Sequence, residues 1–97
     1  MKKEWEEWEW LNIIASRLVT RMPVLIKHVC LTSKSTGPAV VNIRNGVHVT
    51  APIAISLSAI GDTHFTDDFE IPIRLEGLYV EVSGAYVAGC LIQFKRV

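Results

Sequence analysis

The residues with the widest chemical reach in this chain are few and scattered. His28 and Cys30 lie two apart, a spacing that puts both on one face of a strand and offers zinc two of the four ligands a structural site needs. Cys90 and His48 would have to arrive from adjacent strands to complete it. The plainer reading makes His28 a partly buried, hydrogen-bonded side chain. The run Gly61-Asp62-Thr63-His64-Phe65-Thr66-Asp67-Asp68 gathers three carboxylates and several hydroxyls, the hard oxygen chemistry that calcium takes. It lacks the graded ligand spacing and closing Glu of an EF-hand loop. The same residue types satisfy the backbone of any exposed turn, so a solvated loop against a neighbouring subunit is expected instead. Asp68 and Glu70 share one strand face, but paired-carboxylate hydrolysis needs two acids held across a cleft with one pKa raised, and this face is expected to meet solvent. No Ser stands in a nucleophile-elbow context, and neither Cys has a cationic sequence neighbour to make it a thiolate. No catalytic residue, cofactor or metal site is expected, and the chain is read as a non-enzyme.

Ten basic and ten acidic side chains cancel over 97 residues. That leaves no long-range field to hold a nucleic acid backbone or an anionic membrane, so neither is expected as a partner. The length fits one domain with a real core, small enough to gain stability from a partner subunit. Cys30 and Cys90 could bridge if their strands were neighbours. More simply, each is a small buried hydrophobe, which points to a reducing compartment. Lys2 and Lys3 at the start are followed at once by Glu4, Glu6, Glu7 and Glu9, and Arg17 interrupts the apolar stretch. That is not an h-region, so a signal peptide is not expected. No segment approaches the roughly 20 apolar residues of a membrane span, so a soluble protein is expected.

The elements that would position these residues fall into two periods meeting at Met22-Pro23. Trp8, Leu11, Ala15, Leu18 and Met22 recur at steps of three and four, which predicts an amphipathic helix. Trp5 and Ile14 widen its apolar face. The early Glu residues and the late Arg17 and Arg21 match a helix dipole, and Pro23 stops it. The organisation expected is a helical arm over 1–22 and a β-body over 23–97. An apolar stripe with three Trp residues must pack on its own domain or on a partner. Trp5, Trp8, Trp10, Leu11, Ile14 and Leu18 are therefore the candidate docking residues.

In the body, Val24 to Thr32 is apolar on both faces, as a central strand would be. Ser33 to Pro38 is a loop by composition. Ala39, Val41 and Ile43 alternate into Asn45-Gly46, and every odd residue from Val47 to Ala59 is apolar, which means β-structure with one buried face. A three-residue connection over 44–46 would pair Ile43 with Val47 and Val41 with Val49, and Pro52 would split the run by a bend, a bulge or an edge position. Phe69, Ile71, Ile73 and Leu75 point one way. Glu76-Gly77 then resets the parity for Leu78, Val80 and Val82, and a last hairpin near Ser83-Gly84 returns through Tyr86, Ala88, Cys90, Ile92 and Phe94. Six to eight short strands result. The fold expected is mainly β, a small antiparallel β-sandwich or jelly-roll-like barrel carrying an N-terminal amphipathic α-helix.

The run Gly77-Leu78-Tyr79-Val80-Glu81-Val82-Ser83-Gly84, preceded by an apolar-Pro-apolar strand and followed by an alternating strand ending in Phe94, resembles the C-terminal half of small all-β structural proteins of tailed bacteriophages. The resemblance covers Val24 to Lys95 in strand rhythm and Phe69 to Phe94 in motif. It implies a virion component without catalytic residues. The expected form is a capsid decoration or cement protein, with a tail or head-to-tail adaptor component as the alternative. Such a protein would be assembled in the host bacterial cytoplasm, oligomerise with itself as a trimer, and dock through its Trp-rich segment on the major capsid or another virion protein. A reading of another class is a carbohydrate- or protein-binding β-module using Tyr79, Tyr86 or the acidic loop.

Overall fold

The computed structural model describes residues 8–34, 37–61, 63–83 and 86–97. Its strands are β1 (Glu9–Ile13), β2 (Arg17–Thr20), β3 (Val24–Ser33), β4 (Pro38–Asn45), β5 (Ile53–Ile60), β6 (His64–Leu75), β7 (Leu78–Ser83) and β8 (Val87–Arg96). They form two four-stranded antiparallel sheets, ordered β1-β8-β3-β6 and β2-β7-β4-β5. Successive strands mostly alternate between sheets, and this order is the double Greek key of a jelly roll. The β-sandwich expectation holds, and β3 is central as its composition suggested.

No helix occurs among the described residues, and the expected helix over residues 8–22 is replaced by β1 and β2. The segment fits both periods: Leu11 and Ile13 face the core while Trp10 and Asn12 face out, an alternation as good as the helical stripe. Strand pairing wins for physical reasons. Ile13, Ile14, Val19 and Thr20 are β-branched, and Asn12 and Ser16 are weak helix formers. An isolated helix of this length is marginal in water, whereas β1 lies along β8 over five consecutive pairs from Glu9↔Phe94 to Ile13↔Cys90. Ser16 fixes the crossing to the second sheet, its Oγ accepting from the Val82 amide at 2.7 Å and donating to the Val82 carbonyl at 3.2 Å.

Bulges explain the other departures from simple alternation. In β3, Val24 and Ile26 are buried, then Val29, Leu31 and Ser33; the parity changes at Lys27, an extra residue opposite β8, where Ile26 pairs with Phe94 and His28 with Gln93. The strand looks apolar on both faces because a bulge turns its second half over. In β8 the register shifts past Gly89, so Val87 is buried while Tyr86 and Ala88 are exposed, contrary to the expected inward run. In β6, Asp68 pairs with His28 and Ile73 with Ile26, so Phe69-Glu70-Ile71-Pro72 all lie opposite Lys27 alone. Phe69 and Ile73 still pack on the core, but Ile71, expected beside them, is 84% exposed. Pro72 cannot donate to a ladder, and this excursion is where it is accommodated.

The β4–β5 connection is also longer than expected. Val41 pairs with Leu57 and Ile43 with Ile55, rather than with Val49 and Val47, and residues 46–52 form a loop. That loop is closed by Asn45 N–H to Pro52 O at 2.8 Å and Ala51 N–H to His48 O at 3.0 Å. Pro52 thus precedes the strand instead of splitting it. The loop packs on the β6–β7 turn, where a Cβ on Gly77 would stand 2.9 Å from the Gly46 carbonyl oxygen. Between the sheets, Ile13, Ile26, Val29, Leu31, Val41, Ile43, Leu57, Leu75, Leu78, Val80 and Ile92 are essentially fully buried.

Candidate functional site

The outer face of the first sheet holds the most varied chemistry. Pairing aligns Trp10 with Gln93, Gln93 with His28 and His28 with Asp68, one row across all four strands. His28 Nδ1 pairs with the Asp68 carboxylate, and the Trp10 ring meets the His28 ring at 5.7 Å between centroids, tilted by 59°. At one end of this row Trp8 lies buried between two ammonium groups, Lys27 Nζ at 5.3 Å and Lys95 Nζ at 5.6 Å from its ring centroid. Such cation–π contacts contribute roughly 0.5–2 kcal/mol, more as they are desolvated. The β6 excursion leaves an open recess of about 510 Å³ lined by Lys27, Asp68, Phe69 and Glu70.

Both cysteines lie in this sheet, on opposite faces. Cys30 pairs with Leu91 and Leu31 with Cys90; Cys90 therefore points inward with Leu31, while Cys30 points outward and accepts from Thr66 Oγ1 at 3.3 Å. Their strands are neighbours, but side chains on opposite faces cannot meet in the geometry a disulfide demands. Burial, with a smaller contribution from Cys30, pushes the Cys90 thiol up to about 12. It is an inert core thiol. The conceivable zinc set does not converge either: His48 sits in the 46–52 loop, and among the described residues no three of His, Cys, Asp and Glu come together. Of the acidic run over 61–68, Asp62 lies outside the described residues, and His64 to Asp68 form β-strand rather than an open loop.

The outer face of the second sheet carries a hydrogen-bond chain. Ser56 Oγ donates to Asn42 Oδ1 at 2.8 Å, Asn42 Nδ2 to Glu81 Oε1 at 3.1 Å, and Arg44 Nη2 to the same oxygen at 2.8 Å. Arg44 Nη1 reaches the Ala51 carbonyl at 2.7 Å, tying down the 46–52 loop. The Arg44 hydrogen bond first, and then Asn42, hold the Glu81 carboxyl below its usual range against a smaller opposing desolvation. Strand parity puts Asn42 and Arg44 on one face of β4, but only the pairing of β4 with β7 brings Glu81 opposite Asn42 and within reach of both.

No protein-family model matches the sequence, and no curated protein matches it in sequence. The fold is similar to that of a chain from Bacillus endospore appendages, described as a novel family of disulfide-linked pili, at 12% identity and a TM-score of 0.57 over 93% of this chain and 87% of that one. The Tobacco streak virus coat protein aligns at 10% identity and a TM-score of 0.38 over 99% and 91% of the two chains. At 12% identity the likeness to the pilus chain is one of fold.

The docking residues read from the sequence are dispersed by this fold. Trp5 lies outside the described residues. Trp8 is buried between its two lysines, and Leu11 packs on the core. Leu18 is half-buried opposite Tyr79 in the second sheet. Trp10 on β1 and Ile14 in the β1–β2 turn are the exposed members, at 55% and 68%. They present two apolar points on one edge of the sandwich rather than a continuous stripe.

Proposed function

We propose that this chain is a non-catalytic structural subunit that associates with copies of itself, and that its specific form is a bacteriophage virion component, a capsid decoration or cement protein. The observation that carries the reading is the jelly roll itself, similar along nearly all of its length to a chain that builds pili. The finer assignment to a virion rests on the Gly77 to Gly84 run and its flanking strands. The distribution of surface chemistry supports a structural role. Exposed apolar side chains such as Trp10, Ile14, Ile53, Ile60 and Ile71 lie on edge strands and turns, where lattice contacts form. A small neutral domain held in many copies gains avidity from the lattice, so each contact can be weak. Trp10 and Ile14 are the docking points toward the capsid or another virion protein, since buried aromatics dominate interface energies.

Sedimentation of the full chain from micromolar to millimolar concentration tests this reading. Reversible, concentration-dependent association is the expected result. A monomer throughout that range, with a rise in melting temperature on adding a glycan, would favour the binding-module reading in its place.

A further inference from the structure

Among the described residues the sandwich has four edge strands, β1 and β6 in the first sheet and β2 and β5 in the second. An edge strand presents unpaired N–H and C=O groups, and natural sheets blunt such edges with shortness, charge, Pro or bulges. Three of the four edges here carry those devices. β1 has five residues and begins at Glu9. β2 has four, carries Arg17 and breaks register between Leu18 and Thr20. β6 is long but bears Asp67, Asp68, Glu70 and Arg74, and its ladder is interrupted by the excursion through Pro72.

β5 has none of them along most of its length. No Asp, Glu, Lys or Arg occurs between Arg44 and Asp62. Its one register shift falls at the start, next to Ile53; from Ile55 to Ile60 it runs unbroken opposite Ile43 to Pro38. Exposed apolar side chains stand at both of its ends and beside it. Ile53 is 49% and Ile60 68% exposed, and Phe65, on the β6 edge that packs against β5 across the sandwich, is 44% exposed.

We infer that the β5 edge pairs with β5 of a second copy of this chain, antiparallel about a two-fold axis, joining two copies of the second sheet into one eight-stranded sheet. This deepens the self-association proposed above and rests on it. A second copy is the occupant that fits because the edge is self-complementary: with no charge on either strand, a two-fold pairing brings no like charges together. Face matching fixes the geometry further. Directly opposed residues in an antiparallel pair share a face, so a residue must sit on the axis, Leu57 or Ser58. Either choice keeps Ile55 and Leu57 continuous with the buried face and the serines on the outer face. The pairing is closed, because it consumes the unprotected edge of both copies and leaves only guarded ones outside.

Sedimentation of full-length wild type, Ser58→Lys and Thr32→Lys tests it. Ser58 is exposed on β5, and a lysine there faces its own copy directly or diagonally across the axis; Thr32 is exposed on the outer face of the first sheet, away from that edge. The expected result is a wild-type and Thr32→Lys dimer, and a Ser58→Lys monomer with unchanged circular dichroism. Self-association that persists in Ser58→Lys, or a wild-type trimer, overturns the β5 pairing while leaving the structural-subunit reading intact. A wild-type monomer at millimolar concentration overturns both.

Discussion

The two sheets of the sandwich bury their apolar residues by different routes. In the second, β4, β5 and β7 alternate cleanly and the register shifts fall near strand ends, next to Ile53 and at Leu18/Thr20. In the first, β3 is bulged in mid-strand at Lys27, and β6 swings out over four residues opposite it. The outer faces follow from this. The regular sheet ties its polar groups to one another in the Ser56-Asn42-Glu81-Arg44 chain, leaving the buried Arg44 Nε without a partner among the described residues. The bulged sheet turns His28, Lys27 and the tryptophans into an uneven surface with a His28–Asp68 contact, a cation–π stack and a recess. A bulge re-aims side chains, and here it separates a surface whose polar groups bond mostly to one another from one that offers groups outward.

Deleting Lys27 is the sharpest way to break that contrast. Without it, Ile26 opposite Phe94 is followed directly by His28 opposite Gln93, so β3 loses its bulge and becomes a regular strand. Val24, Ile26, Val29, Leu31 and Ser33, all buried now, stay on one face, while β6 must refit its four-residue excursion and Trp8 loses one of its two ammonium partners. A transition that stays cooperative at a lowered melting temperature is expected, read by circular dichroism. Loss of the cooperative transition would show that Lys27 is not the extra residue that sets the parity.

Next in size is Gly77→Ala, at the turn where the 46–52 loop closes on the β6–β7 connection. The new Cβ would stand 2.9 Å from the Gly46 carbonyl oxygen and 3.0 Å from Val47 Cγ1. Backbone must move to admit it, and overpacking of this kind costs about 1–3 kcal/mol. Denaturant titration should show a lower midpoint with an unchanged slope. An unaltered midpoint would mean that the loop is not seated on the turn.

The same contrast explains what could be read before the structure. Where alternation is regular, the sequence sufficed: Ala39, Val41, Ile43, Ile55, Leu57, Leu78 and Val80 face the core as their spacing required. The failures cluster at parity changes, which periodicity cannot register. Ile71 and Ala88 lie outside, and Val47 and Val49 belong to a loop, because one inserted residue or one long connection reverses every later assignment. The N-terminal segment failed differently. Its apolar residues satisfy helix and strand spacing equally, and the tie is broken by pairing with β8, which lies some 80 residues away in the chain. The His28–Asp68 pair and the Arg44–Glu81 chain were hidden for a related reason: each joins residues whose proximity depends on strand order.

The smallest effects compare an ion pair from each sheet. Glu9 and Arg96 meet at 2.9 Å on the edge of the first sheet, both about half exposed. Such a pair contributes about 0–1 kcal/mol, so Glu9→Gln should scarcely move the melting temperature. Glu81 is held by both Arg44 and Asn42, whose hydrogen bonds keep its carboxyl below the ordinary glutamate range. A carboxylate depressed by folding stabilises the native state above its unfolded pKa, and that contribution is lost as pH falls through the folded one. Glu81→Gln should therefore be less stable than wild type at neutral pH, and the gap should close as the pH falls below the ordinary glutamate range and through the depressed folded value. The Glu9→Gln difference should stay small at every pH. Thermal melts of the three proteins across that range decide it. A gap between Glu81→Gln and wild type that stays constant on acidification would mean that the Arg44–Asn42–Glu81 chain acts through neutral hydrogen bonds alone, and that the regular sheet gains nothing from the charge it encloses.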